Sequence, residues 1–193
     1  MAVQADGKIV IGGSALRNGT GDFDFGVARL NADGSPDATF GTAGKQTVAF
    51  DAGGSDTDEA RALAIQPDGK VVLAGSVTRD FQRNFDFAVA RLNADGSPDA
   101  TFNGTGRQTV GFGAGPSSLD QASAVALQTD GKIVVAGFAA RALLGNLDFG
   151  VARLNRDGSL DATLWCRRHP DRGVRPRRDQ RRPGGGRGGP GRR

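Results

Sequence analysis

The chain has 193 residues, of which 37% are hydrophobic, and this length is sufficient for a domain with a buried core. Its net charge of +4 averages two unlike parts, because residues 1–164 carry 14 Lys and Arg against 19 Asp and Glu, whereas residues 165–193 carry 11 Arg against two Asp. A single cysteine, Cys166, excludes an intrachain disulfide and a multi-cysteine metal site, and no apolar run reaches the roughly 18 residues of a membrane helix.

Two motifs recur along the chain at a spacing of 62 residues. The shorter motif, Gln-x-Asp-Gly-Lys, begins at Gln4, Gln66 and Gln128. The longer motif, which reads DFGVARLNADGSPDATF in its first copy, begins at Asp24, Asp86 and Asp148. Self-similarity at one fixed period is typical of repeat architectures. The chain is therefore predicted to consist of repeated structural units.

The spacing predicts three repeats, at about 1–50, 51–112 and 113–164, followed by a distinct tail over 165–193. The second and third repeats are entered through EARALAIQPDGK and QASAVALQTDGK, but the first starts at Met1 with only AVQADGK. We therefore expect the first repeat to lack half of its first strand, and the chain to be a fragment of a longer array.

The first half of the second repeat predicts a β-hairpin. In residues 60–66, Leu63 and Ile65 alternate with alanines, which is the period of two expected for a strand. Pro67, Asp68 and Gly69 predict a tight turn. Residues 70–77, KVVLAGSV, are rich in β-branched side chains and predict the partner strand.

The second half of the repeat predicts two further strands. Residues 85–93, FDFAVARLN, place Phe87, Val89 and Arg91 on one face of a third strand. Asp95 and Gly96 predict another turn, and residues 107–112, RQTVGF, predict the fourth strand. The first three strands carry apolar residues on both faces, as in sheets that are covered on both sides.

Four short antiparallel strands, buried on both faces and repeated, favour an all-β fold: a partial β-propeller of about three four-stranded blades. A solenoid of coils is the main alternative, but its repeats are usually shorter, and separate immunoglobulin-like sandwiches of 62 residues would be undersized. Closed propellers use about four to eight blades. We therefore expect the isolated chain to expose strand edges and apolar faces, and to aggregate or associate.

The two motifs, over residues 3–164, closely resemble those of the bacterial delta-60 repeat family. This resemblance implies a β-propeller-like fold built from tandem copies, in large surface or secreted proteins whose function is not known. It implies no catalytic residues. We accordingly expect an extracellular or cell-surface location, although MAVQADGKIV has no signal-peptide layout.

The Asn-x-Asp-Gly-Ser-x-Asp segment offers oxygen ligands on alternate residues, as calcium loops do. The weak calcium candidates are Asn31, Asp33, Asp37, Asn93, Asp95, Asp99, Asn155, Asp157 and Asp161. The bidentate Glu of a calcium-binding loop is missing. We favour a structural interpretation instead, in which each Asp-Gly pair forms a turn that Ser and Asp side chains tie to the backbone. No other metal, and no cofactor, is predicted.

An arginine recurs in the middle of each predicted third strand, at Arg29, Arg91 and Arg153. A charge on a packed blade face needs a partner. Two sets of aspartates recur at the same spacing. One set is Asp37, Asp99 and Asp161, and the other is Asp24, Asp86 and Asp148. We predict one structural ion pair in each blade, with either set as partner.

Enzyme chemistry is poorly provided for. The only histidine, His169, lies in the tail, and tyrosine is absent. No Ser-His-Asp or Cys-His catalytic set, and no metal site with several histidines, can therefore be assembled. We expect a non-enzymatic structural or binding protein that contacts further repeats of its parent chain, or a protein or glycan ligand. The alternative is a sialidase-like or lyase-like propeller enzyme acting on carbohydrate, which would need a unique acid or base.

The tail has an unusual relation to the repeats. When its degenerate codons are read one nucleotide later from Leu164, they permit FGAGGTQTVAF, in register with FGTAGKQTVAF from Phe40 and FNGTGRQTVGF from Phe102. We predict that residues from about 164 onward are an out-of-frame read of the next repeat, and that 165–193 are disordered. Nucleic-acid binding through this Arg/Gly-rich segment is an alternative that we disfavour.

Overall fold

A computed structural model describes residues 1–17, 22–50, 57–79, 84–112, 119–140 and 147–164. The predicted disorder of residues 165–193 lies outside these ranges. The described residues form eleven β-strands and one short 3₁₀ turn at Ala162–Leu164, and the prediction of an all-β fold is confirmed. No helix in these ranges is both long and apolar enough to span a bilayer.

The strands form three antiparallel sheets, in which neighbouring strands follow chain order. The first sheet contains β1 (Ala2–Val3), β2 (Ile9–Arg17), β3 (Asp22–Leu30) and β4 (Lys45–Val48). The second sheet contains β5 (Glu59–Ile65), β6 (Val71–Thr78), β7 (Phe85–Leu92) and β8 (Arg107–Val110). The third sheet contains β9 (Gln121–Leu127), β10 (Ile133–Ala140) and β11 (Leu147–Leu154).

The four strands predicted for the second repeat are present, and their bounds differ from the prediction by at most two residues. The predicted turns are confirmed as well. Gly69 adopts a φ of +82° and its amide donates to the carbonyl of Gln66, and Gly96 adopts a φ of +85°. A tight Asp-Gly turn therefore joins β5 to β6, and a second one lies in the longer connection from β7 to β8.

A β-bulge interrupts the pairing of the first two strands in the second and third sheets. The register shifts between Ala60 and Ala62 in the second sheet, opposite Gly75. A Cβ atom at Gly75 would collide with the carbonyl oxygen of Glu59, and one at Gly137 would collide with that of Gln121. Glycine is required at both positions because the two backbones approach too closely for any side chain.

The three sheets stack face to face through two hydrophobic clusters. The first cluster joins the first two sheets and includes Val10, Phe25, Leu73 and Leu92. The second joins the second and third sheets and includes Val72, Phe87, Ile133 and Leu154. Every residue of β6 is buried. The second sheet is therefore the centre of the stack, with a core on each side.

Among the described residues, the second sheet alone is buried on both faces, and the expected exposure of an apolar blade face is observed on the third sheet. Phe25 and Phe87 are 0% exposed, whereas Phe149, two repeats after Phe25, is 95% exposed. The reason is geometric, since no described sheet lies beyond the third one. The third sheet also has three described strands instead of the predicted four, because the position one repeat after β8 lies beyond residue 164.

Candidate functional site

The Asn-x-Asp-Gly-Ser segment forms a tight turn in each of the three repeats. In the second repeat, the amide of Gly96 donates to the carbonyl of Asn93 over 2.9 Å. Oδ1 of Asp95 accepts from the amide and the hydroxyl of Ser97, at 2.9 and 2.6 Å. Asp33 and Asp157 make the same two bonds in the other repeats. The interpretation of these segments as side-chain-braced turns is confirmed.

The next aspartate of the motif is a hub for four hydrogen bonds. Oδ2 of Asp37 lies 2.7 Å from Nε of Arg29 and 2.9 Å from Nζ of Lys8. Its Oδ1 accepts from the amide of Thr39 at 3.0 Å and from the hydroxyl of Thr39 at 2.7 Å. Both oxygens of this buried carboxylate are thus engaged, with two cations on one side and a backbone turn on the other.

The same hub recurs in the second and third repeats. The Arg–Asp separation is 2.6 Å for Arg91 with Asp99 and 2.8 Å for Arg153 with Asp161. The predicted ion pair in each blade is therefore confirmed, and the partners come from the set Asp37, Asp99 and Asp161. The other candidate set plays a different part, since Asp24 and Asp86 lie beside Arg17 and Arg79 instead.

These contacts lower the pKa values of the motif aspartates. The hydroxyl of Thr39, followed by Lys8, holds the pKa of Asp37 well below its usual range. Lys132, followed by Thr163, does the same for the pKa of Asp161. Burial acts to raise the pKa of Asp99, but hydrogen bonds from Thr101 and Arg91 outweigh it, so the net shift is downward. The serine hydroxyls lower the pKa values of the turn aspartates Asp33, Asp95 and Asp157.

In the first two repeats, the arginine of the hub also reaches into the following repeat. Nη1 of Arg29 donates to the carbonyl of Ala94 at 2.5 Å, and Nη1 of Arg91 donates to that of Arg156 at 2.6 Å. The guanidinium of Arg29 lies 4.6 Å from the ring centroid of Phe40, and that of Arg91 lies 4.7 Å from the ring centroid of Phe102. We call each such assembly of hub, phenylalanine and following turn a blade junction.

The turn of the following repeat packs directly on this phenylalanine. A Cβ atom at Gly96 would lie 3.1 Å from the ring of Phe40, and one at Gly158 would lie 2.9 Å from the ring of Phe102. The amide of Gly41 donates to the carbonyl of Asp95 at 2.7 Å, and that of Asn103 to Asp157 at 2.6 Å. The motif therefore joins one blade to the next.

Two recurring polar contacts were missed from the sequence. The lysine of the Gln-x-Asp-Gly-Lys motif contacts the hub aspartate, as Lys8 does with Asp37. Asp58 and Asp120 are buried, and their carboxylates accept from the amides of Phe50 and Phe112 at 2.9 and 2.8 Å. The spacing of 62 between these two aspartates is a signal that could have identified them.

The geometry bears on what the calcium candidates can bind. Within the described ranges, no group of three acidic, histidine or cysteine side chains is arranged to hold a metal ion. Two cationic side chains already occupy Asp37, and a divalent cation there would be repelled by both. Calcium binding stays the disfavoured alternative, and the chemistry of the site favours a structural role for these residues.

Comparison with known protein families gives three matches, one in each repeat. A family described as a domain of unknown function (DUF5122) β-propeller matches residues 4–40, 66–102 and 128–164. Each matched segment begins at the Gln-x-Asp-Gly-Lys motif and ends at the last residue of the longer motif. No curated protein matches the chain.

Proposed function

This chain belongs to the DUF5122 β-propeller family, and on that premise we propose that it is a non-enzymatic structural or binding module whose recurring polar residues serve to stack blades. Three antiparallel sheets packed face to face form a partial β-propeller. The proposal concerns what the recurring polar residues do within that fold. They hold adjacent blades together, and any protein or glycan ligand binds at the surfaces of the stack.

The observation that carries this proposal is the engagement of the motif side chains in the blade junctions. Arg91 contacts Asp99, Thr101 and the carbonyl of Arg156 in the next blade. The turn aspartate and serine bond to each other. A catalytic set needs groups that are free to meet a substrate, and residues committed to internal hydrogen bonds are suited to a structural role.

Paired arginine substitutions test the structural role. Arg91→Ala removes a buried partner from Asp99 and a bond to the next blade, and we expect it to lower the free energy of unfolding by about 3 kcal/mol. Arg153→Ala is the matched control, because it removes the same motif residue where no bond to a further described blade exists. We expect a smaller loss for this variant in urea unfolding at protein concentrations where the chain is monomeric. Equal losses would contradict the junction role.

Melting of the same proteins with calcium or with a chelator tests the ligand alternative. We expect no change in Tm, because the hub carboxylates are neutralised by Arg and Lys. A rise in Tm with calcium that Asp33→Asn abolishes would assign the motif to metal binding.

An activity assay tests the enzymatic alternative. Turnover of a sialoside or an acidic polysaccharide by the chain would refute the non-enzymatic proposal.

The proposal also covers the repeat family of the chain and its location in the cell. The motif residues resemble delta-60 repeats, and we propose that the chain is one of these and acts outside the cell or at its surface in a bacterium. Residues 1–164, which contain no cysteine and are mildly acidic, are compatible with an extracellular location. Fractionation of the source cells, with antibody detection of the chain, tests this, and recovery only from the cytoplasm would contradict it.

We also propose that the segment after about residue 164 is read out of frame. Support comes from the repeat register, which assigns the position of a fourth strand, equivalent to Arg107–Val110, to that segment. Nucleotide sequence across codons 160–170 from independent molecules tests this. If every read preserves the present frame, and related genes encode the same Arg-rich tail, this part of the proposal is wrong.

A further inference from the structure

We propose that a second copy of this chain covers the open face of the third sheet, head to tail, with the outer face of its own first sheet. The inference rests on the blade-stacking role proposed above. We call the open face of the third sheet the trailing face, which consists of Val134, Ala136, Phe149 and Val151. We call the outer face of the first sheet the leading face, which consists of Ile9, Ile11, Gly26, Ala28 and Leu30.

The chain already forms this interface twice. Between the first and second sheets, the trailing residues Val10, Phe25 and Val27 pack on the leading residues Val71, Leu73 and Leu92. Between the second and third sheets, the trailing set continues with Val72, Ala74, Phe87 and Val89. The residues 62 positions before the leading set and 62 positions after the trailing set form the two open faces. The open trailing face therefore resembles surfaces that a leading face covers inside the chain, and the open leading face resembles surfaces that a trailing face covers.

The main contact can be assigned by the same step. Phe87 packs on Gly150 of the next blade, where a Cβ atom would lie 3.0 Å from its Cζ. Phe149 takes the place of Phe87, and Gly26 of the second copy takes the place of Gly150. Phe149 and its neighbours Ala136, Phe138 and Val151 line a groove of ≈ 450 Å³. Because this groove is apolar, burial against another apolar face is favourable.

The second copy also offers a hydrogen-bond acceptor to the arginine of the third hub. Arg29 and Arg91 donate to carbonyls at positions 94 and 156, and the corresponding carbonyl for Arg153 is that of Ala32 in the second copy. The Arg153 side chain is 17% exposed, against 7% for Arg29 and 5% for Arg91. Likewise, Gly34 faces open space where Gly96 lies on a phenylalanine ring.

The number of blades favours a closed dimer. A heterologous interface closes into a ring if the rotation between units permits it. Closed propellers use about four to eight blades, and with the three described sheets per chain the multiple of three in that range is six. Contacts between sheets come chiefly from the first three strands of each, which all three sheets possess. Because β1 has only two residues, we expect an interface that dissociates on dilution.

Sedimentation of the full chain over a range of concentrations tests the inference. We expect a reversible transition between 19.9 kDa and twice that mass. Phe149→Asp places a charge on the trailing face and Ile11→Asp places one on the leading face, and each variant alone should remain monomeric. Leu16→Asp is the matched control, since Leu16 is also exposed but lies on the opposite face of β2 from Ile11, and it should still dimerise.

Mixing the two monomeric variants gives the decisive result. A head-to-tail contact predicts that the mixture dimerises, because one unaltered trailing face meets one unaltered leading face. Circular dichroism melts of each variant verify that it is folded. A wild-type chain that stays monomeric, a dimer lost in Phe149→Asp but not in Ile11→Asp, or open chains that lengthen with concentration would overturn the inference. None of these results alters the Arg91 and calcium tests, so failure here is separable from failure of the proposed function.

Discussion

At the scale of single residues, the repeated aspartates do most of the chemistry. Asp37 binds Arg29, Lys8 and Thr39 at once, so the charge of a buried carboxylate is compensated where an unpaired one would be costly. The turn aspartates accept from serine. The lowered pKa values of both groups follow from these donors, and they link the stability of the fold to pH.

We predict that the protein loses stability in acid. A carboxyl group whose pKa is lower in the folded than in the unfolded state binds fewer protons when folded, so its contribution is complete above its unfolded pKa of about 3.9 and is lost as pH falls towards the folded value. Tm should therefore be flat near neutrality and decline below about pH 4.

Asp95→Asn is the matched variant for this prediction. An asparagine carbonyl can accept the same bonds from Ser97 but does not titrate. Tm of the variant, measured against pH, should fall less steeply in acid than that of the parent chain. An acid limb of unchanged or greater steepness would show that Asp95 is not part of the linkage.

At the scale of secondary-structure elements, the pairing of the first two strands decides which glycines are indispensable. Gly13, Gly75 and Gly137 occupy the same position in the three repeats. In the second and third sheets this glycine faces a carbonyl of the first strand, whereas nothing lies within 4 Å of a Cβ atom at Gly13. The difference arises because β1 is only two residues long.

We predict opposite outcomes for the same substitution in two repeats. Gly75→Ala should lower the free energy of unfolding by about 1–3 kcal/mol or more, because its methyl group collides with the Glu59 carbonyl. Gly13→Ala should be neutral or stabilise by about 0.4–1 kcal/mol, because alanine restricts the unfolded chain. Urea unfolding measures both. Equal destabilisation at the two sites would mean that Gly13 also faces a complete first strand.

At the scale of the whole molecule, stability should be graded from the central blade outward. Phe25 and Val72 belong to two different cores, and the second sheet contributes to both. The first and third sheets each contribute to one. Elements with a core on both sides open locally at a higher free energy than those with a core on one side.

We predict that this gradient is visible in amide hydrogen exchange. In the Phe149→Asp chain, which lacks the proposed partner, amides of β6 and β7 should exchange most slowly, and those of β2 and β10 faster. Mass spectrometry of peptides from the three sheets measures this. Slowest exchange in the third sheet would contradict the assignment of the second sheet as the centre of the stack.

Much of the fold was predictable because its signals are local. Alternating side chains around Leu63 and Ile65 and the Asp95-Gly96 pair specify strands and turns within a few residues, and the observed strands agree with them. The existence of an ion pair at Arg29 was predictable too, since a buried charge needs a partner. Its identity was not, because Asp24 and Asp37 recur at the same spacing.

The sequence by itself therefore determined the period, the strands, the turns and the family motifs. The tertiary structure alone decided that Asp37 and not Asp24 partners Arg29, that Arg29 reaches across to Ala94, and that Phe87 is buried while Phe149 is exposed. The physical reason is that repeats with nearly the same residues carry nearly the same local signals. Burial and cross-blade bonding depend on which neighbour lies against each face, and this is a property of the stack.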